Sequence, residues 1–202
     1  MTKILAIQGS DLKKVNLKTD TTILLAREAQ KRGYKIYYFE PENLSFLNGK
    51  VVALCKHIKI LNSKKKFYSL LKTINLNLEK SKVILIRNDP PFDNRYLYST
   101  FLLNHISKKV KIINNPSAVR NVSEKLFSIN FMRYMPPTLI SENLNEIRNF
   151  FKRYKAVVAK PINGFSGNNV ILLKAFNANK IKKLIKNHNH LFFQKFLPGV
   201  SK

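Results

Sequence analysis

Lys160 ends a short apolar run, Val157 to Ala159, and precedes a loop containing Gly164 and Gly167; a second apolar run, Val170 to Leu173, follows. Two β-prone runs joined by a glycine-containing loop read as a hairpin. Glycine lets backbone N–H groups come close to an anion, and a lysine at a strand end adds positive charge. The chemistry this suggests is a lid closing over phosphates. The spacing is not that of a Walker loop, which needs Gly-Lys-Ser/Thr running directly into a helix. A surface hairpin with a turn glycine remains the alternative for these residues taken alone. A second constellation is Arg87-Asn88-Asp89-Pro90-Pro91-Phe92-Asp93, at the end of the apolar run that starts at Val83. Two prolines after a strand stop the ladder and stiffen the loop. They would hold Arg87 and Asp89 at the strand's carboxyl end, where open α/β sheets bind ligands. A rigid turn with Asp93 capping the next helix accounts for the same residues equally well.

The elements that must carry these residues follow from pattern. Lys3 to Gln8 reads as a buried strand and Gly9 to Lys18 as a polar loop. Asp20 is a good N-cap for a helix from Thr21 to Arg32, closed by Gly33. With a strand from Lys35 to Glu40 this makes a βαβ unit with a parallel pair. Asn48-Gly49 sets a tight hairpin turn, with Val51 to Ile60 returning as a strand. The stretch from Asn62 to Lys82 is lysine-rich and ambiguous, partly helical around Phe67 to Ile74. Strands at Val83 to Arg87 and Val110 to Ile113 flank a helix from Asn94 to Ser107. Topology then places a boundary near residue 122, separating residues 1–122 from residues 123–202. The second part opens with a helix from Ser123 to Phe131, capped by Ser123. It continues with a strand at Pro137 to Ile140, a helix at Leu144 to Tyr154 with Ser141 as its cap, the glycine hairpin, a helix at Ala178 to Lys186 and a last run from Leu191 to Leu197.

Composition narrows the function classes. At 202 residues and 45% hydrophobic content the chain can bury a real core. No apolar run reaches membrane-spanning length, and the N-terminus turns polar at Gln8, too soon for a secretion signal. The single Cys55 cannot form an internal disulfide and fits a reducing cytoplasm. The net charge of +26, from 37 Lys and Arg against 11 Asp and Glu, raises nucleic-acid or acidic-membrane binding. The lysines are spread along the whole chain, however, and the densest run, Lys64-Lys65-Lys66, is short. No zinc-finger spacing, arginine-glycine repeat or long basic tail accompanies them. Such a spread fits a lysine-rich compositional bias that favours anionic substrates such as nucleotides.

Taken in order, these pieces resemble the prokaryotic glutathione synthetase family of ATP-grasp ligases. The resemblance rests on Asn16-Leu17-Lys18-Thr19-Asp20, Ala29-Gln30-Lys31-Arg32-Gly33-Tyr34 and the Asp89-Pro90-Pro91-Phe92-Asp93 loop. It continues through Asn114-Asn115-Pro116, Glu124-Lys125-Leu126-Phe127, Lys160-Pro161-Ile162-Asn163-Gly164 and Gln194-Lys195-Phe196-Leu197-Pro198. It implies an α/β fold: an N-terminal, Rossmann-like parallel-sheet domain that binds substrate, then the first part of an ATP-grasp domain. By that resemblance Lys125 and Lys160 hold ATP phosphates, and Gly164, Ser166 and Gly167 form the lid. Gln194, Lys195, Phe196 and Leu197 present a backbone edge to adenine. Arg87 and Asp89 face the peptide substrate and the reaction centre, with Lys18 and Asp20 more peripheral.

The implied reaction is ATP-dependent joining of γ-glutamylcysteine and glycine through an acyl phosphate, in a cytoplasmic enzyme using ATP and Mg²⁺, with homo-oligomers common in the family. The sequence departs from the family at Gln8-Gly9-Ser10, where Asp-Pro is usual, and at Asn168-Asn169, where the lid usually ends in paired glycines. It stops at Lys202, and the half of the family's ATP-grasp domain that carries the Mg²⁺ ligands has no counterpart here. No metal ligand is assigned, and the chain alone is expected to be inactive or nearly so. Two other readings are a basic nucleic-acid-binding protein on a related scaffold and an ATP-grasp ligase for another acid and amine.

Overall fold

A computed structural model of the chain describes residues 2–17, 19–63, 66–188 and 190–199. It divides into two compact units, Met1–Asn121 and Val122–Lys202. The first is built on a mixed sheet. Its strands are β1 (Ile4–Gly9), β2 (Lys35–Phe39), β3 (Leu44–Leu47), β4 (Lys50–Ile60), β5 (Tyr68–Asn77), β6 (Val83–Arg87) and β7 (Lys111–Ile113). The helices of this unit are α1 (Thr21–Lys31), α2 (Asn94–His105) and the short α3 (Pro116–Asn121). Strands β2, β1, β6 and β7 run parallel, so the expected parallel layer is present. The sheet also carries an antiparallel extension, because β4 returns antiparallel to β2, β3 and β5.

Both faces of the sheet are covered, which is why its central strands read as continuous apolar runs. Along β1, Leu5 and Ile7 pack with Ile23 and Ala26 of α1, while Ala6 packs with Leu103 of α2 and Ile84 of β6. Asp20 caps α1 as expected, its Oδ1 accepting from the N–H groups of Thr22 (2.6 Å) and Ile23 (3.2 Å). Asp93 caps α2 through the Tyr96 N–H. Asn48 and Gly49, at φ 47° and 81°, form the turn between β3 and β4. These caps and turns are local chemistry.

Three local expectations fail. The stretch around Phe67 to Ile74 is not helical; it belongs to β5, which pairs with β4 over nine register positions. Leu70 to Thr73 of β5 are exposed on both faces, so that stretch lacks the alternation that marks a half-buried strand. In place of the helix expected from Ser123 there is a 3-10 segment over Phe127–Tyr134, whose N-cap, Leu126, provides no side-chain hydrogen bond. Ser141 is not the cap of the helix that follows: Asn143 is, and the Ser141 hydroxyl instead donates to Glu146 and accepts from the Asn143 N–H.

The second unit is a four-stranded antiparallel sheet of β8 (Thr138–Ser141), β9 (Val157–Pro161), β10 (Ile171–Leu173) and β11 (Leu191–Lys195), in the order β10-β9-β11-β8. Its helices are α4 (Leu144–Tyr154) and α5 (Ala178–His188). Ile147 and Phe151 of α4 and Ile181 of α5 pack on Val157, Ala159, Leu173 and Phe193. Because strand side chains alternate between faces, Val158, Lys160, Gln194 and Thr138 occupy the face opposite those helices. No helix among the described residues is long and apolar enough to cross a membrane. Cys55 is a buried thiol whose pKa is pushed up to about 12 by burial, so it is unreactive as a thiolate.

One contact in the first unit is unusually tight. A Cβ on Gly9 would lie 2.0 Å from the Tyr38 hydroxyl oxygen and 2.7 Å from its Cζ. That hydroxyl is fixed because it donates to the Ser10 carbonyl at 2.5 Å. Gly9→Ala is therefore expected to destabilise the first unit by about 2 kcal/mol. Tyr38→Phe should recover part of the loss in the double variant, as read from urea midpoints.

Candidate functional site

The parallel strands β1 and β6 deliver their carboxyl ends side by side, and a cleft of about 250 Å³ opens there between the loop after β1 and the start of α1. Arg87, the last residue of β6, donates from Nη2 to Thr21 Oγ1 (2.8 Å) and from Nε to Thr22 Oγ1 (3.2 Å). Both partners are neutral, and Arg87 makes no ion pair among the described residues. Asp89 also lines the cleft, positioned through its backbone, whose N–H donates to Ser10 Oγ (3.2 Å). Asp20 lines it as well, but one of its oxygens is committed to capping α1. Lys18 lies outside the described residues.

The Gln8-Gly9-Ser10 segment supports this cleft. Gln8 is fully buried and donates from Nε2 to Asn88 Oδ1 (2.7 Å) and Ser99 Oγ (2.9 Å), tying the loop after β6 to β1 and α2. Ser10 holds the Asp89 backbone on one side and the Tyr38 hydroxyl on the other. The pKa of that phenol is driven above the usual tyrosine value by burial first and then by the carboxylates of Asp20, Glu40, Asp89 and Asp11, so it remains a neutral donor.

In the second unit a cavity of about 430 Å³ lies on the helix-free face of the sheet. It is lined by Pro136, Val158, Val170, Phe196 and Leu197, with Lys160, Gln194 and Lys195 as its polar members. Lys160 faces Phe192 in the ladder, and Val158 faces Gln194, so Lys160 and Gln194 are diagonal neighbours on one face. The Lys160 ammonium donates to Gln194 Oε1 at 2.8 Å. Its pKa is held below the ordinary lysine value, by desolvation first and by the charge of Lys125 second. The two lysines, distant in sequence, thus feel each other's charge. Lys125 Nζ donates to the Gly164 carbonyl at the root of the hairpin loop. Neither lysine forms an ion pair among the described residues.

The loop between β9 and β10 folds as consecutive tight turns, with hydrogen bonds from Gly164 N–H to Pro161 O (3.1 Å) and from Asn168 N–H to Phe165 O (2.9 Å). Ser166, Gly167 and Asn169 sit at φ 51°, 74° and 59°, a conformation that costs little for glycine and somewhat more for serine and asparagine. Beyond β11, the Phe196 N–H donates to the Ala156 carbonyl and the Lys195 N–H to the Pro137 carbonyl, which fixes the strand end along the cavity.

The geometry thus gathers Lys160, Gln194, Lys195, Phe196 and Leu197 around one cavity of the second unit, and Arg87, Asp89 and Asp20 around one cleft of the first. Lys125 reaches the Gly164 carbonyl, Gly164 lines a separate cavity with Asn187 and His188, and Ser166 and Gly167 line neither cavity. Residues that sequence reasoning missed are Thr21 and Thr22, which hold Arg87; Ser10 and Tyr38, which hold the Asp89 loop; and Thr138, which contacts Gln194. Thr21 and Thr22 had a local signal, following the Asp20 cap. The others depend on pairings between strands far apart in sequence.

Residues 4–120 match the model of the prokaryotic glutathione synthetase N-terminal domain, and residues 124–202 that of the prokaryotic glutathione synthetase ATP-grasp domain. The glutathione synthetase of Rhodopseudomonas palustris is 40% identical over 167 residues, covering 83% of this chain and 53% of that protein. The glutathione synthetase of Buchnera aphidicola is 36% identical over 181 residues, covering 89% of this chain and 56% of that protein. The chain spans about half the length of these relatives. Among solved structures, D-cycloserine synthetase DcsG superposes with a TM-score of 0.62 at 15% identity, over 98% of this chain and 61% of that one. D-alanyl-alanine synthetase A from Vibrio cholerae does so with a TM-score of 0.56 at 11% identity, over 98% and 61%. At those identities the structures speak to the ATP-grasp ligase fold alone. With its two domain matches laid end to end over the described architecture, the chain belongs to the prokaryotic glutathione synthetase family.

Proposed function

We propose that this chain supplies the nucleotide-holding and peptide-facing parts of an ATP-dependent carboxylate–amine ligase that joins γ-glutamylcysteine to glycine in the cytoplasm. One observation carries the reading. Among the described residues neither Lys125 nor Lys160 has a carboxylate partner; Lys160, partly desolvated, lines an apolar cavity, and Lys125, held at the Gly164 carbonyl, is near enough for its charge to act on Lys160. Cations held by neutral acceptors attract an anion, and an apolar slot next to them takes a flat ring; an adenine nucleotide has both. In this reading Lys125 and Lys160 neutralise the phosphates as charge moves between them. The loop with Gly164, Ser166 and Gly167 covers them. Val158, Val170, Phe196 and Leu197 receive the adenine along the Gln194–Leu197 edge.

The chemistry runs in two steps. The cysteinyl carboxylate of γ-glutamylcysteine attacks the γ-phosphorus and ADP leaves, giving an acyl phosphate. The glycine amine then attacks the acyl carbon, inorganic phosphate leaves, and the amine gives up a proton. Arg87 offers a fork for a substrate carboxylate, and Asp89 the opposite charge for a substrate ammonium. The protein's work is charge neutralisation and positioning rather than nucleophilic attack. Among the described residues no group of three or more His, Cys, Asp or Glu side chains could hold a metal ion. None of the described residues is therefore assigned to the Mg²⁺ that accompanies ATP.

Displacement of a fluorescent ATP analogue tests the nucleotide site. Lys160→Gln and Lys125→Gln are each expected to weaken ATP by about tenfold or more, the scale of a lost charged hydrogen bond; unchanged affinity in both overturns the reading. ATP-, γ-glutamylcysteine- and glycine-dependent phosphate release by the product of the complete reading frame tests the reaction, and inertness with all three overturns it.

The pH dependence has a definite sign. Only the protonated lysine attracts phosphate, so affinity is full below the pKa of Lys160 and lost as pH rises through it. Because that pKa is lowered, by desolvation first and by the charge of Lys125 second, the loss is expected to set in at lower pH than for an ordinary lysine. Lys160→Arg, which does not titrate there, should flatten it. For the first unit, Arg87→Lys is expected to weaken γ-glutamylcysteine binding by about tenfold while leaving ATP affinity unchanged. Calorimetric titration of each ligand checks this.

A further inference from the structure

We propose that Thr138 is the positioning residue for Lys160, acting through Gln194 along a hydrogen-bond chain that permits one direction only. The inference rests on the nucleotide-binding reading of the same cleft. Thr138 lies directly opposite Gln194 in the β8–β11 ladder. Its hydroxyl donates to the Pro136 carbonyl (2.8 Å), and the same oxygen accepts from Gln194 Nε2 (3.0 Å). Gln194 Oε1 then accepts from Lys160 (2.8 Å). Each direction is forced. An ammonium can only donate, so the carboxamide must turn its oxygen to Lys160. Its NH₂ then faces Thr138, whose single proton is already given to Pro136, leaving an oxygen able to accept.

Turning the carboxamide over would set an NH₂ against the ammonium and an oxygen against a hydroxyl whose proton is engaged. Gln194 is 8% exposed, so water is poorly placed to repair either mismatch. Thr138 therefore fixes which atom of Gln194 Lys160 meets. The groups of neighbouring elements matter too. Lys125 adds a repelling charge, and Lys195 at the end of β11 lines the same cavity. Neither β8 nor β10 contains a titratable residue. The Gln194 oxygen is thus the acceptor that favours the charged amine, and Thr138 keeps it in place.

The test uses the 202-residue chain, without nucleotide for the reactivity measurement and with added ATP for the binding measurement. Competitive trace acetylation with acetic anhydride, read by mass spectrometry of the Lys160 peptide, reports how readily that amine loses its proton. Thr138→Val keeps the shape and the strand preference of the residue but removes the hydroxyl. It is expected to raise Lys160 reactivity at neutral pH about tenfold and to weaken ATP binding about tenfold, the effect of one lost buried hydrogen bond. Thr138→Ser should stay within about twofold of the parent in both. In a Gln194→Met background Thr138→Val should add nothing, because the route through Gln194 is gone. Unchanged Lys160 reactivity in Thr138→Val, a Thr138→Ser variant as damaged as Thr138→Val, or full additivity with Gln194→Met each overturns the proposal. Should Thr138→Val fail to fold by circular dichroism, Thr138→Ala against Thr138→Ser makes the same comparison. A Lys160 profile that moves in a chain that does not bind ATP upholds the positioning role and overturns the nucleotide reading instead.

Discussion

The contact on which the second unit's site depends is the 2.8 Å hydrogen bond from the Lys160 ammonium to Gln194 Oε1. Removing an ammonium from water is costly unless its protons find acceptors, and a neutral amide oxygen meets that need without cancelling the charge. A carboxylate at the same position would hold the lysine more firmly and leave little field for an incoming anion. The rest of the unit can be understood as what this contact requires. Alternation along β9 and β11 must bring both side chains to one face, and packing of α4 and α5 on the other face leaves that face open. The turn at Gly164 presents a carbonyl to Lys125, so the second cation is also held by a neutral oxygen.

Arg87 in the first unit repeats the arrangement with different parts. Its acceptors are the hydroxyls of Thr21 and Thr22, again neutral, at the start of a helix whose cap is already supplied by Asp20. The net charge of +26 makes lysines without a carboxylate partner common on this surface, so the lack of an ion pair is weak evidence by itself. What sets these cations apart is the combination of partial burial with uncharged partners in a concave setting. An exposed lysine on a solvated helix face has no structure built around it; Lys160 and Arg87 do.

How much of this was legible in the sequence follows the range of the interactions. Asp20, Asp93 and Asn48-Gly49 act within three residues of themselves, and each did what its type predicts. The glycine hairpin was legible for the same reason. The strand β5 was not, because its register is dictated by β4 and exposure of both faces over Leu70 to Thr73 removes the alternation from that stretch. The 3-10 segment Phe127–Tyr134 buries none of its residues in spite of a run of aromatic and aliphatic side chains, so helical spacing there carried no information about packing. Thr138 and Tyr38 were invisible as site residues. One is defined by lying opposite Gln194, and the other by the room that Gly9 leaves.

The Gln8-Gly9-Ser10 segment is held by contacts to three other elements. A buried amide at Gln8 bonds the loop after β6 and α2, and Gly9 lets the Tyr38 ring close in. Ser10 then takes two hydrogen bonds that settle the Asp89 backbone and the phenol. On the proposed reading, the acid that such a cleft accepts would be set by its own charges, Arg87 and Asp89 on opposite signs, and not by the fold. ATP-grasp ligases of similar architecture, at 11% to 15% identity, are named for D-alanyl-alanine and D-cycloserine. On the proposed reading, phosphate and adenine make the same demands whatever acid is activated, and the second unit can remain generic. Selectivity for the acid would then lie in the first unit, in the distance and sign of the groups that Ser10, Thr21 and Thr22 hold in place.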